Sequence, residues 1–250
     1  MRRFFILTRA LVLTTLREPA VLFWNLAFPV LLLVLYVLIF GEQARAGRAG
    51  FVQWIVPGVV TLNILSFGLI GSTSLTMQMR EAGVLRRVRA TPVSISTLFA
   101  VFVATNVLVC IAQTALVLAF AALAFGWRAE LDRLVLSLPL MLLAITLSVA
   151  LGQLVSSLSP RFAPALAIAQ VLFFLQLFTT GLVMPMDLLP AWLGEVGRWL
   201  PAYAIGDLVR QPLLEGSLGA EAARNLGLAF AYLLASGALA VRFFRWESRG

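Results

Sequence analysis

The chain has 250 residues, 61% of them hydrophobic and only 12% charged. A soluble domain carries about 25% charged residues, and several apolar runs here reach the ~20 residues that cross a bilayer, so the composition describes a polytopic membrane protein and excludes an ordinary soluble enzyme. The net charge of +8 then points to a membrane face against anionic lipid and not to nucleic acid.

Residues 1–18 read as an amphipathic helix lying in the interface. Phe4, Leu7 and Leu11 share one face, and Arg2 and Arg9 lie opposite. Arg9 and Arg17 interrupt the apolar run, which argues against a cleaved signal segment. The first span is expected at about 20–40, with Pro29 as a kink. The second is expected at 52–77. Its latter half is rich in small residues, including Gly68, Gly71, Ser72 and Ser74, which permit close helix contact in lipid.

A charged island follows at 80–92. It carries Arg80, Arg86, Arg87 and Arg89, with Glu81 as its one acid. Helical spacing places Val84, Leu85 and Val88 on one side and the arginines largely on the other. Pro92 forbids smooth continuation. The expectation is one short amphipathic helix at the mouth of a membrane bundle. Two readings stand: a basic loop that only sets topology, or a docking element for a cytoplasmic partner.

Further spans are expected at 98–125, 134–158, 162–182 and 226–244, with a tight turn at Ser159-Pro160-Arg161. The stretch 183–224 contains Pro185, Pro190, Pro201 and Pro212 with Trp192, Trp199 and Tyr203. It is too apolar for a solvated loop and too broken for a span. Short helices dipping into the outer interface, anchored by aromatic residues, are expected. The fold is therefore a single all-α membrane domain, 1–250, with six transmembrane helices. Placing both termini with the island puts twelve arginines and three acids on one side, against seven arginines and eight acids on the other. The positive-inside rule makes the first side cytoplasmic.

Candidate chemistry is sparse. There is no histidine, the commonest general base and metal ligand. Cys110 lies alone in an apolar run and reads as a small buried residue. Every basic residue is arginine, so a phosphate-binding loop ending in Gly-Lys-Ser/Thr is absent. If ATP drives this protein, another chain binds it. All eleven acids fall in loops or ends, so an intramembrane proton or sodium relay is not supported. Asn63, Asn106, Gln113, Gln153, Gln170 and Gln176 are the main polar groups within spans, and interhelical hydrogen bonding is the expectation for each. Gln170, Phe174, Leu177, Phe178 and Gly181 form one stripe on the fifth span. It suits a path for an amphipathic substrate, a subunit interface or a lipid face.

Three motifs give the chain a family resemblance. Arg17-Glu18-Pro19 and Phe28-Pro29 open the first span. Arg80-Glu81-x-Gly83-x-Leu85 runs on to Ala90-Thr91-Pro92. Gly181-x-x-x-Pro185-x-x-x-x-Pro190 is followed by Leu200-Pro201 and Asp207-x-x-Arg210. In this order, with six spans, the chain resembles the ABC-2 type transport permeases, the membrane subunits of certain ATP-binding-cassette exporters. It departs at Arg86, where the family loop often carries an acid, and it lacks the Leu-Gly-x-x-Trp signature of polysaccharide-exporting relatives. The drug-exporting branch is closer.

The resemblance implies a transport permease and not an enzyme, with no cofactor in this chain. ATP and Mg would be bound by a cytoplasmic ATPase subunit in two copies, beside a second permease, identical or related. It implies a bacterial-type plasma membrane and export of a hydrophobic or amphipathic small molecule. It makes 80–92 the coupling helix: Val84, Leu85 and Val88 would seat in a cleft of the ATPase, Gly83 would allow close backbone approach, and Glu81 would sit near the helix N-terminus. It makes Gly181, Pro185, Pro190 and Pro201 part of an outer re-entrant region. The competing expectations are an ion-driven secondary transporter, a polysaccharide- or lipid-exporting permease, a lipid-acting enzyme using Asp187 and Glu195, and an assembly scaffold.

Overall fold

The computed structural model describes residues 2–16, 51–89, 95–128, 130–180 and 190–244, with a few positions between 27 and 38. Most of the expected first span, together with Pro92, Gly181 and Pro185, lies outside the described residues. Every regular element among the described residues is helical. That is the solution lipid imposes on a chain whose backbone polar groups must be satisfied within each segment.

Helix α1 is Arg2–Leu16, and it packs along the start of the third span. The second span is continuous over 51–81 and has three parts. These are α2, Phe51–Ser66, a π-helical turn, Phe67–Gly71, and α3, Ser72–Glu81. A short α4 covers Val84–Arg89. Then come α5, Ile95–Phe125, α6, Leu131–Leu158, and α7, Phe162–Thr179. Two shorter helices, α8, Ala191–Gly197, and α9, Pro201–Glu215, precede α10, Ala222–Phe243.

Five of the described segments are long and apolar enough to cross a membrane. They correspond to the second to sixth expected spans, and the chain is a multi-pass membrane protein. The second span is the centre of the bundle. Its most apolar window is 83% buried, against 17% for the last span. Val56, Val60 and Ile64 from it meet Ile145 and Leu147 of α6 and Ile205 and Leu208 of α9 in the core.

The π turn marks the closest approach. A Cβ at Gly68 would overlap the Cβ of Ser148, and one at Gly152 would lie 2.6 Å from the Leu69 carbonyl. Only glycine lets the second span and α6 meet this closely. Hydroxyls serve the widened turn: Ser72 Oγ donates to Gly68 O, and Thr73 Oγ1 donates to Leu69 O at 2.7 Å and across to Gly152 O at 3.0 Å. One turn further, Thr76 and Gln153 hydrogen-bond through their side chains at 2.9 Å. Two of these contacts, Thr73 to Gly152 O and Thr76 with Gln153, join the second span to α6 where lipid offers no hydrophobic gain.

Candidate functional site

The charged island is not one helix. The second span continues through Arg80 and Glu81, and the chain then turns at Ala82-Gly83. Gly83 has φ +68, a left-handed conformation that costs a side-chain-bearing residue about 1 kcal/mol. A Cβ there would meet nothing within 4 Å. Gly83 is therefore required by the turn itself, and the space around it is open within this chain. Helix α4 starts after it, and Arg87 N donates to Gly83 O at 3.2 Å.

Arg80 and Glu81 face the turn between α6 and α7, each serving one helix end. Arg80 is 2% exposed. Its Nη1 donates to Ser156 O at 2.9 Å and Ser159 O at 3.0 Å, the last carbonyls of α6. The Glu81 carboxylate accepts from Phe162 N at 3.2 Å, the first amide of α7. A cation at a helix C-terminus and an acid at a helix N-terminus both match the helix dipoles, and each satisfies backbone groups that no helix can satisfy itself. Glu81 does not open the coupling helix, as expected from sequence. It closes the preceding one and caps another.

Leu85 is fully buried, packed with Met79, Leu98 and Phe102 and flanked by Leu11, Val84 and Phe244. The apolar side of α4 thus faces its own chain: α1, the second and third spans and the end of the last. Leu85 is thus covered by its own chain, where the expectation had it seated in a cleft of the ATPase. Exposure lies on the other side, at Glu81, Ala82 and Arg87, where Arg87 Nη2 bends back to Ala82 O at 3.3 Å. The side chains of Arg86 and Val88 lie outside the described set.

The fifth-span stripe is brought together but points outward. Gln170, Phe174 and Phe178 are all exposed, and the last two rings stack with centroids 6.4 Å apart. Among the described residues it faces away from the core. Among the amides, interhelical bonding holds for Gln153 and for Gln176. Gln176 accepts from Ala202 N at 3.1 Å, capping α9 from α7. Asn106 instead bonds its own helix at Phe102 O, and the Gln113 amide makes no hydrogen bond among the described residues. The cap by Gln176 was invisible in sequence because its partner lies 26 positions away.

On the opposite face, Pro190 and Pro201 immediately precede and open the two short helices. A second polar cluster joins α9 to α10. Asn225 Nδ2 donates to Asp207 Oδ2 at 2.6 Å and Gln211 Nε2 to Asp207 Oδ1 at 2.7 Å. Tyr203 OH donates to Glu221, which also pairs with Arg224 at 2.6 Å. Burial raises the Asp207 carboxyl above its ordinary range, against the opposing hydrogen bond from Asn225. Burial also lowers the Arg210 guanidinium, with Asp207 opposing.

The bundle and its charged mouth define a multi-pass helical membrane protein. The chain matches the ABC-2 type transporter family over residues 2–214, and it belongs to that family. No match was found among curated proteins.

Proposed function

We propose that this protein is the permease subunit of an exporter that moves a hydrophobic or amphipathic small molecule, such as a drug, antibiotic or lipid-like compound, out of the cytoplasm or inner leaflet. ATP, with Mg, is hydrolysed by a separate cytoplasmic cassette subunit. Two such subunits serve two permease copies, identical or related. The membrane is a bacterial-type plasma membrane with both termini in the cytoplasm, a reading supported by twelve arginines on the hairpin side against seven on the other.

One observation carries the reading. The arginine-rich hairpin of α4 is tied through Arg80 and Glu81 to both ends of the α6–α7 turn. A push on the hairpin therefore reaches two spans at once. The partner contact is assigned to its exposed side, Ala82 and Arg87, in place of Leu85. The outward stripe of Gln170, Phe174 and Phe178 suits a substrate path formed between two copies.

The test is purification of the tagged permease from its native cells. A co-purifying cassette ATPase whose turnover rises with a hydrophobic substrate is the expected result. Transport that survives ATP depletion and collapses with the proton gradient overturns it.

A further inference from the structure

Helix α5 is strongly apolar, yet it turns a polar strip inward. Thr105, Asn106, Cys110 and Gln113 are buried, while Leu108, Ile111 and Leu116 of the same helix are exposed. Gln113 lies midway along the span Ala100–Phe125 and is 2% exposed. Among the described residues, neither its Nε2 nor its Oε1 has a hydrogen-bond partner. Buried amides elsewhere in the bundle are engaged. Asn106 and Gln176 each donate to a carbonyl of their own helix, and Gln153 pairs with Thr76.

A second unpaired amide nitrogen lies at the same depth. Asn63 Nδ2, on the second span, is buried and without a partner among the described residues. Met79 and Leu98 share one apolar cluster at the hairpin end. At 1.5 Å per residue, Asn63 lies about 24 Å from Met79 and Gln113 about 23 Å from Leu98. The second span and α5 pack against each other. Thr105 Oγ1, two turns nearer the hairpin on α5, is unpaired as well.

An amide buried without a partner is unfavourable, and most of all at membrane depth. A leucine of similar volume carries no such penalty. The penalty applies only while the interior is dry, because water reaching the amide completes its hydrogen bonds. A penalty confined to a closed form raises the population of the open form by the same factor. The α6 side of the second span differs. There Gly68 and Gly152 bring the helices into close contact, and Thr73, Thr76 and Gln153 bond across the seam.

We propose that the inward face of α5 parts locally from the bundle and admits water, and that the Gln113 amide, hydrated in the open form, sets how often this happens. The region is an internal hydration site at membrane depth, and Asn63 is the second amide it serves. The α6 side stays closed. This inference does not rest on the exporter reading, and the absence of a partner ATPase would leave it standing.

Cys110, the one cysteine of the chain, is the reporter. It is 0% exposed and lies about one turn before Gln113 on the same face. The experiment uses the full-length permease in lipid nanodiscs and a charged methanethiosulfonate, which modifies a thiol only where water reaches it. Slow modification of the folded protein is expected. Its rate should stay flat at denaturant concentrations well below the unfolding midpoint, because local opening exposes little surface. Gln113→Leu and Gln113→Met are each expected to slow modification about tenfold and to leave the midpoint at or above that of the parent. Gln153→Leu is the contrast, because it strips Thr76 of its partner and should lower the midpoint.

An unmodified thiol in the folded parent overturns the proposal, as does a rate that follows global unfolding from the lowest denaturant. An unchanged rate in both Gln113 variants also overturns it, since the amide would then be idle. A midpoint that falls in both would show that the amide is already satisfied, with the same consequence. Modification by an apolar maleimide but not by the charged reagent would mean that the face opens to lipid, and water entry would be rejected.

Discussion

Arg80 reads from sequence as one of four surface arginines, yet it is buried at 2% exposure and bonded to two carbonyls at the end of α6. Hydrogen bonds from a charged donor contribute about 1.5–3 kcal/mol each. Arg80→Met is therefore expected to lower the stability of the purified permease by about 2–4 kcal/mol, read as a lower unfolding midpoint in detergent. A change indistinguishable from that of Arg87→Met would show the bonds to be idle. Leu85→Ala removes a fully buried side chain and is expected to cost about 2–5 kcal/mol with no ATPase present. A normal midpoint without partner would return Leu85 to the role of external plug. The burial of both residues is hidden in the sequence for one reason. Periodicity identifies an apolar side and a charged side, but it cannot say whether the chain itself or another protein covers them. Gly83 is legible as special in the sequence, and the structure adds the positive φ that requires a glycine there. At the opposite face, the raised Asp207 carboxyl gives a pH expectation. Burial penalises its ionised form, so the fold binds this proton more readily than the unfolded chain. Its contribution to stability falls as pH rises from the ordinary carboxylate range through the raised value. Asp207→Asn should flatten that part of the stability profile, and an unchanged profile would assign the slope to other groups.

At the scale of elements, the five described spans follow the sequence closely because each is a long apolar run closed by Pro, Gly or Arg. The boundaries that moved did so for local reasons. The second span runs on to Glu81 because Met77 to Glu81 contains no helix breaker and Arg80 finds its partners in the α6–α7 turn. The π turn has no periodic signature. Its trace in sequence is the cluster of small residues, which was read correctly as packing but could not reveal the inserted residue. This gives a contrast within one residue type. Gly152→Ala places a methyl against Ser72 Oγ and the Leu69 carbonyl, so it should separate the second span from α6 and destabilise the bundle by about 1–3 kcal/mol. Gly227→Ala and Gly237→Ala meet nothing within 4 Å and lie inside α10. They should be neutral or stabilising by up to about 1 kcal/mol. Thermal unfolding of the three variants side by side decides it. Equal effects would mean the close contact at the π turn contributes nothing particular.

For the whole molecule, the Arg80 and Glu81 bonds and the hairpin together define what a partner on the arginine-rich face would contact. The second span, α4 and the α6–α7 turn move as one piece if Arg80 and Glu81 hold. Leu85 anchors that piece to α1, α5 and the end of α10. Among the described residues, what remains outside is a small surface containing Ala82 and Arg87. Arg87→Glu reverses a charge on that surface while disturbing only one exposed hydrogen bond, 3.3 Å long. Exposed charges at the rim of an interface act mainly on partner choice and association. The variant is thus expected to keep the unfolding midpoint of the parent and to bind its ATPase about tenfold more weakly, a loss of about 1.4 kcal/mol. The companion variant is Leu85→Ala, which should lower the midpoint and lose partner binding only to the extent that the fold is lost. Both are measured by unfolding of the isolated permease and by titration of the purified ATPase onto permease in nanodiscs, at low and at physiological salt, because screening weakens an exposed charge contact. If Arg87→Glu binds as the parent does at both salts while folded Leu85→Ala does not bind, the partner reads the apolar side of the hairpin, and α4 must leave its own core to be read.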